Sequence, residues 1–486
     1  MSSLPFDIWA HIAKRLPSDS LCKLYGVNKA LFKLGLDERY RHLELVSRDA
    51  SEANHKLNRL QNDQFRAEKV REFTLALHWA EGWLSGYEDY DWRVAMQKNG
   101  FEGLYHGPRK KVKRWSSKKK GPYPEEAELR LMLLQKSLDT LLSLPNIHRC
   151  TITDRDRDEN EFTLPTTAIP FVSAAWRASS TTLQYLHLDI LAEMLEDVLS
   201  PDLTFESLKR LEVDLSILYR STDTMGIISS TLVPFINRHH HLLQTFAFRT
   251  KEHLPLKQMF AQLELMPHLR SLTVSHGYVS TRQTDTSGLR DFLAKHAEAL
   301  RTLSLSFHAL GTNLVLDPSM TGWSEQPFLR VPYEALSKLS FQFFDFPEGF
   351  EDQLPRILDG FWNKSVKSLQ LRMNSSDHNL KTEDIRKVFG KVPEEVKLEA
   401  LSLKVNRLNL DFFDTLSDLL PHLIELELEI PFDEQSTSLT LNNSEDRKFD
   451  IDMLKQRYGK RWSLNHFTVF KYVNQTSLLG RTSFTE

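Results

Sequence analysis

Three adjacent histidines, His239, His240 and His241, suggest metal chemistry by their residue type. A metal site needs ligands that converge, whereas adjacent side chains on a helix point in different directions. No Cys, Asp or Glu stands at ligand spacing around the three histidines. Since a strand pattern begins directly afterwards at Leu243, the sequence predicts a solvated helix end and no metal site.

A second group has the carboxylate count of a calcium loop: Asp154, Asp156, Asp158 and Glu159. Two intervening arginines would repel the ion, and the required glycine and distal glutamate are absent. We therefore predict a polar turn. The sequence also contains no Walker-type loop, nucleophile elbow, dinucleotide fingerprint or His-Glu-x-x-His motif. We expect no catalytic residues and no cofactor, and predict that the protein is not an enzyme.

A third group, Arg109 to Lys120, has eight Lys or Arg among twelve residues. That density fits a nuclear import signal, and a solvated, disordered insertion explains it without any further function. Nucleic-acid binding is the least supported interpretation, because Trp115 is the single aromatic residue in the group and gives no stacking platform. The first two interpretations stay open.

Composition excludes several classes of protein. Hydrophobic residues make up 41% of the chain and charged residues 26%, with a net charge of −3, so no strong field recruits nucleic acid or an acidic membrane. The two cysteines, Cys22 and Cys150, are far apart in the sequence, so they lack the spacing of metal ligands and cannot form a disulfide framework. So few cysteines fit a reducing compartment. No leader pattern and no run of about 18 apolar residues is present. We expect a cytoplasmic or nuclear protein that does not span a membrane.

The chain is organised by a recurring hexad, in which apolar residues stand at the first, fourth and sixth positions. Clear copies are Leu183-Leu186-Leu188, Leu208-Leu211-Val213, Leu243-Phe246-Phe248, Leu269-Leu272-Val274, Leu300-Leu303-Leu305, Leu336-Leu339-Phe341, Val366-Leu369-Leu371, Leu398-Leu401-Leu403 and Leu423-Leu426-Leu428. Weaker copies are Val70-Phe73-Leu75, Ile147-Cys150-Ile152 and Leu464-Phe467-Val469. This hexad is the strand segment of a leucine-rich repeat.

Helix-compatible stretches lie between the copies: Leu191–Leu199, Leu256–Leu265, Gly288–Leu300, Asp352–Trp362, Glu383–Phe389 and Phe412–Leu420. The pattern predicts an α/β fold in which an irregular leucine-rich-repeat solenoid has parallel strands on its concave face and helices on its convex face. From Leu183 the copies are 25 to 41 residues apart. Regular repeats take about 20–29 residues, so the repeats are degenerate.

The first thirty residues carry an apolar stripe at helical spacing. A Leu-Pro pair opens one helix, Pro17 ends it, and a second helix follows. So short a segment cannot bury this much apolar surface by itself, so we expect it to bind a partner. The predicted contact residues are Leu4, Pro5, Ile8, Ile12, Leu16, Leu21, Leu24 and Val27.

This stretch resembles the F-box, the helical module that docks onto the adaptor subunit of cullin–RING ubiquitin ligases. The matching positions are Leu4-Pro5, Asp7, Ile8, Ile12, Leu16-Pro17, Asp19, Leu21, Leu24 and Val27-Asn28-Lys29. Where the family usually has an aromatic residue after that last run, this chain has Leu31 followed by Phe32. The irregular repeats are similar to those that follow F-boxes in many fungal proteins. The resemblance implies a non-catalytic substrate-recognition adaptor of an SCF-type ligase, whose repeats hold a client protein.

Two other functions compete with this one. The helices could merely cap the end of the repeats, which would make the protein an interaction scaffold without a ligase link. The second Leu-Pro pair, twelve residues after the first, favours docking, because a cap needs neither pair. A GTPase activator of the leucine-rich-repeat type would need regular repeats and a supplied arginine, and neither is clear.

The residues between the apolar strand positions predict the client-binding face. It begins acidic, has a middle lined by Ser and Thr, gains Arg and Lys, and ends acidic. As candidate client-binding residues we take Arg249, Arg372, Lys404 and Glu427, of which the three cations would bind an acidic or phosphorylated segment. The alternative is an ordinary solvated strand face.

These patterns predict four segments. Residues 1–45 form the F-box-like module, and 46–140 form a connector with the first irregular units and the basic insertion at about 80–125. Residues 141–475 form the solenoid, and 476–486 form a tail.

Overall fold

The computed structural model describes residues 4–46, 50–77, 124–154, 168–217, 223–278, 285–309, 325–344, 346, 350–374, 380–405, 408–432, 457–458 and 462–473. The chain divides into two compact units, Met1–Leu243 (unit 1) and Gln244–Glu486 (unit 2). The basic group Arg109–Lys120, the acidic run beyond Asp154 and the predicted tail lie outside the described residues. None of the described helices has the length and apolar character needed to cross a bilayer.

Unit 1 begins with three short helices, which we call the helical module: α1 (Phe6–Ala13), α2 (Ser18–Lys23) and α3 (Lys29–Arg39). Pro5 stands directly before α1, and Pro17, which the sequence predicts as the end of the first helix, stands directly before α2. The Asn28 side chain caps α3 by accepting a 2.8 Å hydrogen bond from the Leu31 N–H.

The rest of unit 1 is a parallel sheet with helices between its strands. The strands pair in sequence order: β1 (His42–Leu45), β2 (Glu72–Ala76), β3 (Arg149–Thr153), β4 (Tyr185–Leu191) and β5 (Arg210–Ser216). The helices are α4 (Ala50–Gln61), α5 (Gln64–Ala67), α6 (Pro124–Leu142), α7 (Ile169–Ser179), α8 (Leu195–Val198), α9 (Thr224–Ile227) and α10 (Val233–Arg238). A π turn (Ile228–Leu232) joins the last two helices.

The sheet starts earlier in the chain than predicted. Residues 42–45, assigned from sequence to the end of the helical module, form β1 and pair in parallel with β2. Leu43 and Leu45 alternate with exposed residues and are buried. Four residues in a polar stretch are too few to show the alternation of apolar and polar residues that marks a strand. For this reason β1 is not recognisable from sequence, and the predicted regular solenoid begins only at residue 141.

Unit 2 repeats the same arrangement. Its strands pair in parallel and in sequence order: β6 (Thr245–Thr250), β7 (Ser271–Tyr278), β8 (Thr302–Ala309), β9 (Lys338–Phe344), β10 (Ser368–Asn374), β11 (Ala400–Lys404), β12 (Glu425–Phe432) and β13 (His466–Val473). The helices are α11 (Leu256–Ala261), α12 (Ser287–His296), α13 (Leu354–Asp359), α14 (Thr382–Phe389) and α15 (Leu410–Leu419). Successive helices pack against each other: α11 on α12, α13 on α14, and α14 on α15.

The hexad determines the register in both units. Fourth-position residues stand opposite one another, as in Phe73 with Cys150 and Leu272 with Leu303, and sixth-position residues do the same. Those four side chains are fully buried or nearly so. The prediction of parallel strands alternating with helices around a shared apolar core is therefore confirmed.

One close approach in unit 2 requires glycine. A Cβ on Gly277 in β7 would lie 2.3 Å from the Lys251 carbonyl oxygen. The Gly277 N–H also donates a 3.1 Å hydrogen bond to the Glu252 carbonyl. The loop after β6 therefore lies directly against the end of β7.

Candidate interaction surfaces

The helical module exposes an apolar row on α1. Leu4, Ile8 and Ile12 stand at four-residue steps, and each is between 37% and 49% exposed. Pro5 and Val27, which the sequence also predicts as contact residues, are exposed as well. Five of the eight predicted contact residues are thus available to a partner.

The other three lie in the interior of the module. Leu21 is buried together with Ala13 and Leu31, while Leu16 and Leu24 pack against this core. They hold the three helices together, and only Leu16 and Leu24 keep part of their surface exposed. A helical stripe in the sequence does not show which of its residues face the module's own core.

Two exposed aromatic residues were not among the predicted contacts. Phe6 on α1 and Phe32 on α3 each leave nearly half of their surface exposed. Lys33 Nζ lies 5.6 Å from the centre of the Phe6 ring. The Phe32 ring stands edge-on to Tyr25, with 6.0 Å between centroids. The sequence contains one signal for Phe32: it follows the Val27-Asn28-Lys29 run, close to the position at which the F-box pattern usually has an aromatic residue.

The helical module is joined to the sheet without a linker. Two residues separate α3 from β1, and the Arg41 carbonyl accepts hydrogen bonds from the N–H groups of Arg71 and Glu72 at 2.8 and 3.0 Å. The Arg41 Nε also lies 2.9 Å from Glu72 Oε1. Lys69 Nζ lies 2.6 Å from Asp37 Oδ1 on α3. These bonds fix the module against the start of β2.

On the sheet face of unit 2, three of the candidate client-binding residues lie close together. Arg372 Nη2 is 3.2 Å from Glu427 Oε1 and 2.6 Å from Glu429 Oε1. Ser402 Oγ donates to Glu427 Oε1 at 3.2 Å. The guanidinium on β10 is thus already shared between two carboxylates on β12, so Arg372 is not an open anion site.

Lys404 stands beside this ion pair. It is in register with Glu429 and only 5% exposed. The pKa of its amine is lowered to about 8: burial is the main cause, Glu429 opposes the shift, and nearby Arg372 adds to it. A fraction of the amine is therefore uncharged near neutral pH.

Arg249 lies apart from the other three candidates. It is on β6, in register with Ser275 on β7. Four strand spacings separate β6 from β10, which is about 19 Å. A single short motif cannot contact Arg249 and Arg372 in the way that a clustered anion site requires.

The strands between them carry hydroxyl groups. Across β7 and β8, Ser271 stands opposite Thr302 and Thr273 opposite Ser304, and all four are half-buried, whereas the third pair, Ser275 with Ser306, is buried. The predicted Ser/Thr-lined middle therefore includes a patch formed by the first two pairs, which we call the hydroxyl patch.

The prediction of a solvated histidine run is wrong for His239. Its ring is buried, Nδ1–H donates to the Phe235 carbonyl at 2.8 Å, and Nε2 accepts from the Phe205 N–H at 2.9 Å. Burial lowers the pKa of the imidazole, which keeps it neutral. The helix end is as predicted, but the His239 ring is buried between two repeats, whereas His241 is exposed.

His296 at the end of α12 has the same arrangement. Its Nδ1–H donates to the Phe292 carbonyl at 2.6 Å, and its Nε2 accepts from the Met266 N–H at 2.9 Å. Both histidines use both ring nitrogens in protein hydrogen bonds. Within the described residues no cluster of His, Cys, Asp and Glu could hold a metal ion.

Comparisons with known proteins give little more. No family model matches the chain, and no curated protein matches it. Among solved structures, the crystal structure of the Rad7 and Elc1 complex in yeast is similar at 12% identity, covering 62% of this chain and 76% of that chain, with a TM-score of 0.32. At that TM-score the similarity supports no statement about fold or function.

Proposed function

We propose that this protein is a non-catalytic substrate-recognition adaptor of an SCF-type cullin–RING ubiquitin ligase. The observation that supports the proposal is the exposed apolar row Leu4, Ile8 and Ile12, which lies on the helix whose sequence resembles the F-box. Side chains of this type are usually buried, and a row of them marks a binding surface.

The row is strong enough to contribute to a stable complex. Complete burial of a Leu or Ile side chain stabilises by about 1.5–3 kcal/mol. Each residue of the row is already roughly half buried, so docking would add about 1 kcal/mol per residue. Phe6, Phe32 and Val27 enlarge the exposed apolar surface of the same module.

In this proposal the repeats hold the client and the ligase's other subunits transfer ubiquitin. Binding the client beside the ligase raises the local concentration of its acceptor lysines. The candidate client contacts remain Arg249, Arg372, Lys404 and Glu427. Because Arg372 is paired with glutamates, a client that binds there must satisfy both charge signs, and a purely acidic segment does not.

A second candidate is an interaction scaffold without a ligase link. It is favoured by the internal packing of Leu16, Leu21 and Leu24 and by the direct junction of α3 with β1, both of which a simple end cap would show. In that case the apolar row binds no ligase subunit.

A pull-down with the purified adaptor subunit of a cullin–RING ligase separates the two functions. The full chain should retain the adaptor, and Ile8→Asp with Ile12→Asp should lose it by at least about 100-fold, since each buried uncompensated carboxylate costs several kcal/mol. Met132→Asp is the matched control, because Met132 is an apolar residue of α6 with 57% of its surface exposed. The control should bind like the wild type.

Leu16→Asp is unsuitable as a test variant, because Leu16 packs in the module's own core and its loss would unfold the module. If the wild-type chain does not retain the adaptor, the ligase function is wrong. Retention by the Ile8 and Ile12 double variant would show that the apolar row is not the docking surface.

A further inference from the structure

A cleft lies between the helical module and the first strands of unit 1, and we call it the module cleft. Its volume is about 660 Å³, within the range of ligand sites, about 300–1,000 Å³. Its walls come from α1, α2, α3, the segment before β2 and the start of β3. It is lined by Ala10, Ala13, Lys14, Leu16, Ser18, Leu21, Leu34, Asp37, Glu38, Arg41, Lys69, Arg71, Glu72, His148 and Arg149.

The module cleft is on the opposite side of α1 from the apolar row. Ala10 and Lys14 line it and are one helical turn apart, each two residues after Ile8 and Ile12 respectively. Two residues correspond to a rotation of about 200° around a helix. A ligand in the cleft and a partner on the apolar row can therefore bind at the same time.

The three carboxylates of the cleft already have partners. Asp37 is 2.6 Å from Lys69 Nζ, and Glu38 accepts a 2.6 Å hydrogen bond from Ser18 Oγ. Glu72, only 16% of whose side chain is exposed, pairs with the Arg41 Nε at 2.9 Å. The acidic side chains are thus neutralised within the protein.

Two cations of the cleft have no carboxylate partner among the described residues: Lys14 and Arg71. Lys14 is exposed and directly follows α1. Arg71 donates from Nη1 to the Glu68 carbonyl at 2.7 Å, which positions the guanidinium and leaves its other N–H groups for a ligand. Five cationic side chains and three carboxylates line the cleft, so its net charge favours an anionic ligand.

The lining also selects among anions. Ala10, Ala13, Leu16, Leu21 and Leu34 give it an apolar wall, which a bare phosphate or sulfate would leave unused. Among the described residues no Phe, Tyr or Trp side chain lines the cleft, so it offers no large aromatic platform on which nucleic-acid bases could stack. An acidic peptide with aliphatic side chains satisfies both the apolar wall and the unpaired cations.

We propose that the module cleft binds an extended acidic peptide segment of a partner protein, with an aliphatic side chain against its apolar wall and carboxylates at Lys14 and Arg71. Arg149 also lines the cleft, and its half-exposed guanidinium lies 3.5 Å from Glu72 Oε1 and 4.7 Å from the Tyr185 ring centre. This binding site does not depend on the ligase function, because the apolar row takes no part in it.

The test is fluorescence anisotropy with the full chain and a short fluorescein-labelled peptide in which glutamate and leucine alternate. Lys14→Glu and Arg71→Glu should each weaken binding about tenfold, the effect expected when a charge-assisted hydrogen bond is lost. Lys29→Glu is the matched control, since Lys29 is an exposed lysine on α3 that does not line the cleft. The control should bind within about twofold of the wild type.

Three further probes define the ligand chemistry. A peptide with serine in place of leucine should bind at least about tenfold more weakly, because it loses the apolar contact. A lysine–leucine peptide should not bind. A single-stranded oligonucleotide that binds more tightly than the glutamate–leucine peptide would overturn the proposal.

Two other results would also overturn it: no saturable binding of the glutamate–leucine peptide, or equal affinity of the wild type and Lys14→Glu. Lys14→Glu is the decisive variant because that side chain is exposed, so its replacement leaves the fold intact. Circular dichroism of each variant checks that a loss of affinity at Arg71→Glu is not a loss of structure.

Discussion

Replacing His239 by phenylalanine should destabilise unit 1 by about 2–4 kcal/mol. Phenylalanine keeps a somewhat larger aromatic ring at this position but makes neither hydrogen bond of the imidazole. The buried Phe205 N–H is then left without an acceptor, which costs about 1–3 kcal/mol, and the Phe235 carbonyl loses a bond that contributes about 1 kcal/mol. The destabilisation therefore follows from the connection that His239 makes between two repeats.

The same histidine should make stability depend on pH. Burial lowers the pKa of His239 in the folded state below the value of 6.5 that it has in an unfolded chain. The unfolded chain therefore binds the proton more readily. The stabilisation is fully present above pH 6.5 and is lost as the pH falls from 6.5 towards the folded-state pKa. At pH 5.5 the loss is at most about 1.4 kcal/mol for one histidine.

Urea unfolding of the full chain at pH 8 and pH 5.5 measures both effects. His239→Phe should lower the midpoint at pH 8 and show a smaller decrease between the two pH values than the wild type. Hydrogen exchange gives a local measurement, because the Phe205 amide should exchange about 30- to 1,000-fold faster in the variant. The urea midpoint reports the stability of the protein, and the exchange rate reports the hydrogen bond of the Phe205 amide.

His241→Phe is the matched control, since His241 is exposed two residues further along the same run. It should leave the midpoint and the Phe205 exchange rate unchanged. If the two variants behave alike, the imidazole of His239 does not tie the repeats together. His296→Phe should reproduce the effect in unit 2 through the Met266 amide.

Two further predictions concern unit 2. Arg372→Gln removes a cation that lowers the pKa of Lys404, so that pKa should rise above its value of about 8, as an NMR titration of lysine side chains would show; an unchanged or lower pKa would mean that Arg372 does not act on the amine. Gly277→Ala places a methyl group against the Lys251 carbonyl and should cost about 1–3 kcal/mol in urea unfolding. Gly26→Ala, with open space around the added carbon, should cost much less, and equal costs would refute the close approach.

The hexad made most of the fold predictable. Its apolar positions recur at fixed offsets, so they identify both the buried side of each strand and the register with the next one, as in Leu272 with Leu303. The prediction failed at β1, because four residues in a polar stretch do not establish a period. There, pairing with β2 decides the structure, and that pairing is not local in sequence.

The candidate surfaces were predictable only in part. The spacing of Ile8, Ile12 and Leu16 identifies one apolar stripe, but the packing of three helices decides that the first two are exposed and that Leu16 packs inward. Whether the Arg372 guanidinium is available to a ligand likewise depends on carboxylates more than fifty residues away. Sequence reveals the residue types, and tertiary pairing decides which of them remain available.

His239 illustrates a signal that was present but not recognised. A phenylalanine stands four residues before His239 and four before His296, and each histidine stands four residues before the hexad that follows it. A repeated offset of this kind indicates a structural role in each repeat. A single run of three histidines, considered alone, looks like a polar helix end.

The hydroxyl patch on β7 and β8 has a consequence for the entropy of binding. Immobilising a Lys, Arg or Glu side chain costs up to about 1.5–2 kcal/mol of rotamer freedom, whereas short Ser and Thr side chains lose much less. A ligand that packs over Ser271, Thr273, Ser304 and their neighbours therefore orders few side-chain rotamers. The favourable enthalpy of binding such a ligand is offset by a smaller entropic penalty than at the charged strands β10 to β12. Because the patch itself carries no charge, the affinity changes little with salt concentration.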